Sequence, residues 1–221
     1  MSGEQLLDLL GGLGVTLQLA AVSIGAGLVV ALGLALLTSS PRRWLSWPGI
    51  VVVEIGRGAP VIVLLQLVYF GLPSAGITLD AMPAAWVAIG FSVAAYGSEI
   101  IRAALQSVAA GQDEAARALG LGRVDTLRFV LIPQGLRVAV PPLIGLAVQM
   151  FQATSLAFAL SVPELLSQAY NLGSVTFRYV EFLAVAGVIY AVVALPLMRL
   201  AGRLERSTGG AGTGLRGMTH A

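Results

Sequence analysis

The side chains of this sequence best suited to handling a small polar solute are uncharged and stand inside apolar runs. Gln149, Gln152 and Ser155 recur at every third position with Thr154 beside them, Gln66 and Tyr69 repeat the interval, and Tyr96 and Ser98 stand close together. Three-residue spacing puts groups on one face of a helix. Amides and hydroxyls on such a face supply both donors and acceptors to a zwitterion. Similar groups also hydrogen-bond one helix to the next, so transport and helix packing are both open for them. Two charged pairs share the interval: Glu54 with Arg57 and Glu99 with Arg102 can each close an ion pair along a helix, as a structural clamp or as a gate.

Covalent chemistry is largely excluded by what the sequence lacks. It has no lysine, no cysteine and a single histidine, His220. A P-loop needs a lysine on the phosphates, a zinc site needs clustered Cys and His, and a Ser-His-Asp triad needs a placed histidine. No metal site, nucleotide site or catalytic set is expected in this chain, and no nucleic-acid partner.

The elements that must position these groups are membrane spans. Hydrophobic residues make up 57% of the 221 positions and charged residues 11%, with a mean hydropathy of +0.88. A span takes about 20 apolar residues to cross roughly 30 Å of hydrocarbon. Five segments meet this, at residues 12–37, 51–72, 83–104, 138–160 and 182–201. The first is too long for a signal-peptide core and follows Glu4 and Asp8 rather than a basic segment, so it is expected to be retained. The fold class is therefore an all-α membrane protein of five transmembrane helices, forming one domain over residues 1–206.

Arginine placement sets the orientation. Arg42, Arg43, Arg102, Arg117, Arg123, Arg128, Arg137, Arg199, Arg203, Arg206 and Arg216 fall on one side, Arg178 on the other, and Arg57 just inside span two. The N-terminus is expected outside and the C-terminus in the cytoplasm. Residues 71–76 read as a short external turn between spans two and three. The cytoplasmic stretch 106–137 shows helical spacing interrupted at Gly120 and Gly122 and stopped at Pro133, which predicts two short helices joined at a glycine corner. Residues 207–221, rich in Gly and Thr, are expected to be a disordered cytoplasmic tail.

Within 106–137 runs Glu114-Ala115-Ala116-Arg117-Ala118-Leu119-Gly120, followed after nine residues by Val130-Leu131-Ile132-Pro133. Asp113 and Glu114 lie in the first turn of the expected helix, where negative charge is favoured by the dipole. The alanines keep the helix slim, and Gly120 permits a sharp turn. This pattern resembles the EAA loop of ABC-importer permeases, with Val130 and Ile132 as conservative departures. The resemblance extends over most of the chain to the polar amino-acid branch, which includes histidine, glutamine and glutamate permeases. Glu54-Ile-Gly-Arg57-Gly58-Ala59-Pro60 is similar to its E-x-x-R-G-T-P, with alanine in the threonine's place. Ala95-Tyr96-Gly-Ser98-Glu99-Ile-Ile-Arg102 is similar to its A-Y-x-x-E-x-x-R. Thr154-Ser155-Leu156 and Val162-Pro163-Glu164-Leu165 match its T-S-L and V-P-E-L. Gln152-Ala153 stands where the branch usually carries Lys-Asp, which removes both charges from span four.

The resemblance implies a permease subunit that pairs with a second permease subunit, in a homodimer or heterodimer, to form a path through the inner membrane. An external substrate-binding protein would deliver the solute. A cytoplasmic ATPase dimer would bind ATP and Mg and dock on the loop through Glu114, Ala115, Ala116, Gly120 and Pro133. The chain itself would carry no cofactor and no enzymatic activity, meeting only membrane lipid and these proteins. The expected path is lined by Gln66, Tyr69, Tyr96, Ser98, Gln149, Gln152, Thr154 and Ser155. The rival reading is a secondary transporter or channel, whose folds often carry paired repeats that five spans cannot divide into. Little charge at mid-span favours a neutral or zwitterionic solute.

Overall fold

The computed structural model describes residues 2–108 and 110–209, and among these the chain is helical with no β-strand. Helix α1, Gly3–Thr38, begins at a capping box in which the Ser2 hydroxyl accepts from the Gln5 N–H and the Gln5 side chain accepts from the Ser2 N–H. It packs along α4, Ala81–Ser107. The seam is built on small residues, with Gly27 and Ala31 of α1 set against Gly90 and Gly97 of α4. A Cβ on Gly27 would stand 2.6 Å from the Val93 Cβ and 2.7 Å from the Gly90 carbonyl. In lipid, where burying apolar surface gains little, such close backbone approach is what holds helices together.

Four helical segments, residues 3–38, 81–107, 123–160 and 179–206, are each long and apolar enough to cross a membrane. The remaining expected span, the second at residues 51–72, is not one straight helix. Helix α2, Arg43–Gly58, and the segment Val61–Ala75 meet at a bend of 106°. The second segment opens with α3, Val61–Gln66, continues as a wide turn over Leu67–Gly71 and tightens over Leu72–Ala75, so the turn expected at 71–76 is reached only at Gly76, in the left-handed region at φ 80°. Pro60 causes the break. It has no N–H to give α2, and its ring excludes the residue before it from helical backbone. Ala59 is accordingly extended at φ −89°, ψ 130°.

The loop before span four also differs from expectation. Helix α5, Ala110–Ala118, and the corner at Gly120 are present, but Pro133 ends nothing. From Gly122 the chain enters α6, Arg123–Asp125, passes through a wide turn at Thr126–Leu131 and continues as α7, Ile132–Ala153. In the wide turn the Ile132 N–H bonds five residues back to the Leu127 carbonyl. The chain there is already spaced for a ring at Pro133, in the first turn of α7, where a missing N–H costs nothing. A tighter turn, Thr154–Leu160, completes this helix and ends at Ser161 in left-handed backbone, φ 60°.

Helix α8, Leu165–Thr176, was not anticipated between spans four and five. It lies against α1 and α9, Tyr179–Gly209. Residues 207–209 thus continue α9, and the remainder of the tail, with Arg216 and His220, lies outside the described residues. The outer faces of α1, α2 and α9 carry exposed Val, Leu, Ile and Trp in numbers that water would not tolerate and lipid would.

Candidate functional site

The break at Pro60 organises the charges. Beyond the end of α2 the carbonyls of its last turn have lost their helical partners. The Tyr96 hydroxyl, from α4, donates to the Arg57 carbonyl at 2.9 Å. The Arg57 guanidinium lies 3.4 Å from Glu54 on its own helix and 3.6 Å from Glu99 on α4. Glu99 is also ion-paired with Arg102. The two pairs read separately in the sequence are therefore one chain of alternating charges, Glu54–Arg57–Glu99–Arg102, that fastens the bent element to α4. Each member is part-exposed, so a network of this kind holds register more than it adds stability.

Next to this network is a cavity of about 370 Å³ whose polar lining comes from Arg57, Tyr96, Glu99 and Gln149. It joins candidate path residues from spans three and four to the break in span two. Gln152 is exposed on the same helix as Gln149, Gln66 is exposed at the end of α3, and Ser155 and Tyr69 are half-buried. Ser98 and Thr154 do not join this face. Both are buried, and their hydroxyls donate within their own helices, Ser98 to Ala95 at 2.8 Å and Thr154 to Phe151 at 2.6 Å. The spacing signal missed this because Thr154 is one residue off the stripe and so sits on the packed side of the helix.

Helix α5 projects Glu114 and Ala115 to the surface and turns Ala116 inward against the Thr126–Leu131 turn. Its C-terminus is closed by paired backbone bonds, Leu121 N–H to Ala116 and Gly120 N–H to Arg117, at 3.1 and 2.9 Å. That pattern requires a left-handed residue between them, and Gly120 supplies it at φ 81°. A Cβ at Gly120 would meet nothing within 4 Å, so the position demands glycine for its backbone and not for space. Leu119, beside the corner, is 83% exposed. The Gln134 amide donates to Gln112 at 3.3 Å, tying α5 to the start of α7, with Pro133 exposed beside it.

Glu164, in the run Val162-Pro163-Glu164-Leu165, is wholly buried. Its carboxylate caps α8 by accepting the Leu166 and Ser167 N–H groups, both at 2.8 Å, and accepts the Tyr190 hydroxyl of α9 at 2.9 Å. Burial raises its pKa above the usual carboxylate value, against the pull of these three donors. The adjacent Leu165 N–H donates to Thr16 of α1 at 3.1 Å. One residue pair thus binds α8 to two spans. Ser, Thr, Asp and Asn are the usual caps, so a glutamate after Pro163 gave little local signal.

Apolar spans around a cavity whose mainly apolar wall carries a few polar groups, with a slim helix closed at a glycine corner outside the bundle, define a membrane transport component with a surface for a partner. Residues 23–210 match the family described as binding-protein-dependent transport system inner membrane component. The chain belongs to that family, and it is the inner-membrane permease component of an ABC importer. It is 39% identical to the probable amino-acid ABC transporter permease protein YckA of Bacillus subtilis, over 81% of this chain and 79% of that one. It is 38% identical to the octopine transport system permease protein OccM of Rhizobium meliloti, over 92% and 87%. A crystal structure of an amino acid ABC transporter with histidines matches at a TM-score of 0.84 and 32% identity, covering 90% of this chain and 94% of that one. These relationships give no support to the secondary-transporter reading.

Replacing Glu164 by alanine removes a cap and orphans a buried hydroxyl, at a cost of about 1–3 kcal/mol. We predict a lower thermal unfolding temperature for Glu164→Ala in detergent, with Glu164→Gln intermediate. An unchanged melting profile for the alanine variant would show that the cluster does not hold α8.

Proposed function

We propose that this subunit, with a second permease subunit, encloses the path of an amino acid or close analogue and couples it to ATP hydrolysis in a separate cytoplasmic ATPase through α5. The observation that carries the coupling role is the α5 corner: a slim helix outside the bundle, closed by a glycine in left-handed backbone, with an exposed leucine at its tip. Glu114, Ala115 and Leu119 offer a small surface to a groove in the ATPase, while Ala116 and Gln112 connect that surface to the start of α7. A push on α5 is then delivered to the long helix that carries Gln149 and Gln152. The amino-acid assignment draws on the transporters that the chain resembles. The lack of a charge where the branch has Lys-Asp favours a neutral or zwitterionic solute. ATP and Mg would be held by the partner, and an external binding protein would supply the solute.

Placing a valine at Gly120 forces a β-branched residue into left-handed backbone at about 1–2 kcal/mol, whereas asparagine adopts that conformation more readily. In vesicles holding the complete transporter we predict that Gly120→Val lowers coupled uptake on the order of tenfold, with Gly120→Asn near wild type and solute binding by the external protein unchanged. Uptake by Gly120→Val at the wild-type rate would sink the coupling role.

We further infer that the α2–α3 pair crosses as one broken span, which puts the N-terminus outside and the C-terminus in the cytoplasm, as the arginine asymmetry favours. Single cysteines report this directly because the chain has none. An impermeant thiol reagent added outside should label cysteines at Asp80 and Ser174 and spare those at Arg42 and Arg206. The reverse pattern would overturn the orientation.

An exposed glutamine on a membrane helix faces water or another subunit more cheaply than lipid. That is why Gln149 and Gln152 are assigned to the path, with Tyr96, Gln66, Tyr69 and Ser155 nearer its edge. Changing both glutamines to leucine is expected to cut uptake per assembled complex several-fold while insertion and ATPase association persist. Assembly lost with uptake per complex intact would reassign them to helix packing.

A further inference from the structure

A second cavity, of about 660 Å³, lies where the elbow between α1 and α2 faces the end of α4, α5 and the start of the 123–160 helix. It belongs neither to the path nor to the exposed tip of α5. Arg42, Arg117 and Arg123 line it, with Asp113 as the one carboxylate. Asp113 is already closed on Arg117 at 2.7 Å. Arg42 and Arg123 have no ion-pair partner among the described residues. Two unpaired guanidiniums lining one cavity give a shared anion two partners, and the fork of donors on each matches phosphate oxygens.

The rest of the lining identifies the kind of anion. Leu36, Leu45, Leu105 and Leu131 supply an apolar wall beside the arginines, which a free ion could not use but the first carbons of a lipid chain could. Depth agrees. Trp44 and Trp47, one turn from Arg42, are 72% and 65% exposed, as tryptophans are at the boundary between headgroups and hydrocarbon. Basic pockets between spans at that level suit anionic headgroups.

We propose that this cavity binds the phosphodiester headgroup of an anionic phospholipid, held between Arg42 of the elbow and Arg123 of the long helix. A lipid so placed touches the inner side of α5 through the Arg117–Asp113 pair and braces the base of that helix against the elbow. The site depends on the chain lying in a bilayer, and not on which end faces the cytoplasm or which solute is carried.

The test uses the transporter complex captured from membranes by a tag on this chain and passed into nanodiscs of phosphatidylcholine doped with phosphatidylglycerol. Lipids retained after a detergent wash are measured by mass spectrometry. Phosphatidylglycerol should be enriched in the wild type, and the double variant Arg42→Gln, Arg123→Gln should lower that enrichment on the order of tenfold. The double variant Arg42→Lys, Arg123→Lys should keep part of it, since the charge remains while the fork is lost, which separates charge from damage to the fold. Equal enrichment in wild type and glutamine variant overturns the site, as does loss in both variants alike. Labelled inorganic phosphate held by the wild type without any phosphatidylglycerol enrichment also overturns it, assigning the arginines to a free ion.

Discussion

Hydrocarbon offers a backbone no hydrogen-bonding partner, and the breaks in the helices that build this bundle are shaped by that constraint. Helices meet it along most of their length. Where the chain departs from a regular helix, a specific group takes up what is left unpaired. The bend at Pro60 frees carbonyls at the end of α2, and Tyr96 answers the one on Arg57. The wide turn at Thr126–Leu131 shifts the bonding so that Pro133 follows without a break in the helix. The start of α8 exposes N–H groups, and Glu164 and Thr16 accept three of them.

These repairs are also the joints between elements. Tyr96 links the bend in span two to α4, and the charges Glu54, Arg57, Glu99 and Arg102 run along the same junction. Glu164 reaches α9 through Tyr190 while its neighbour reaches α1. A chain whose helices otherwise meet through apolar and small side chains thus uses Tyr96, Thr16 and Glu164 to join particular helices. The small residues at the α1–α4 seam let backbones approach, but they do not by themselves choose a register.

The proposed coupling contact and the proposed path share one continuous helix. The residues at 123–131 stand beside α5, and the same helix carries Gln149 and Gln152 further along. Helix α5 therefore touches the helix that lines the cavity with no loop between them. The inner side of α5 borders the arginine-lined cavity at the elbow, and its outer side is free. The free side carries the exposed Leu119 and Glu114.

Much of this protein is legible in its sequence, because the strongest signals are local. Apolar length gives the spans, arginine bias gives an expected orientation, and the E-A-A, Gly and Pro spacing gives α5 and its corner, since a left-handed backbone at Gly120 is a property of one residue and its neighbours. What the sequence leaves open is set by contacts between distant residues. That Pro60 bends the chain by 106° while Pro133 is absorbed into a helix depends on the turns preceding each. That two i,i+3 pairs fuse into one network depends on α2 and α4 lying side by side. Thr154 and Gln152, two residues apart, part company because one faces α7's packed side and the other its open side. Glu164 passes unnoticed among surface-type residues until α1 and α9 close over it, because burial is a property of the neighbours and not of the residue.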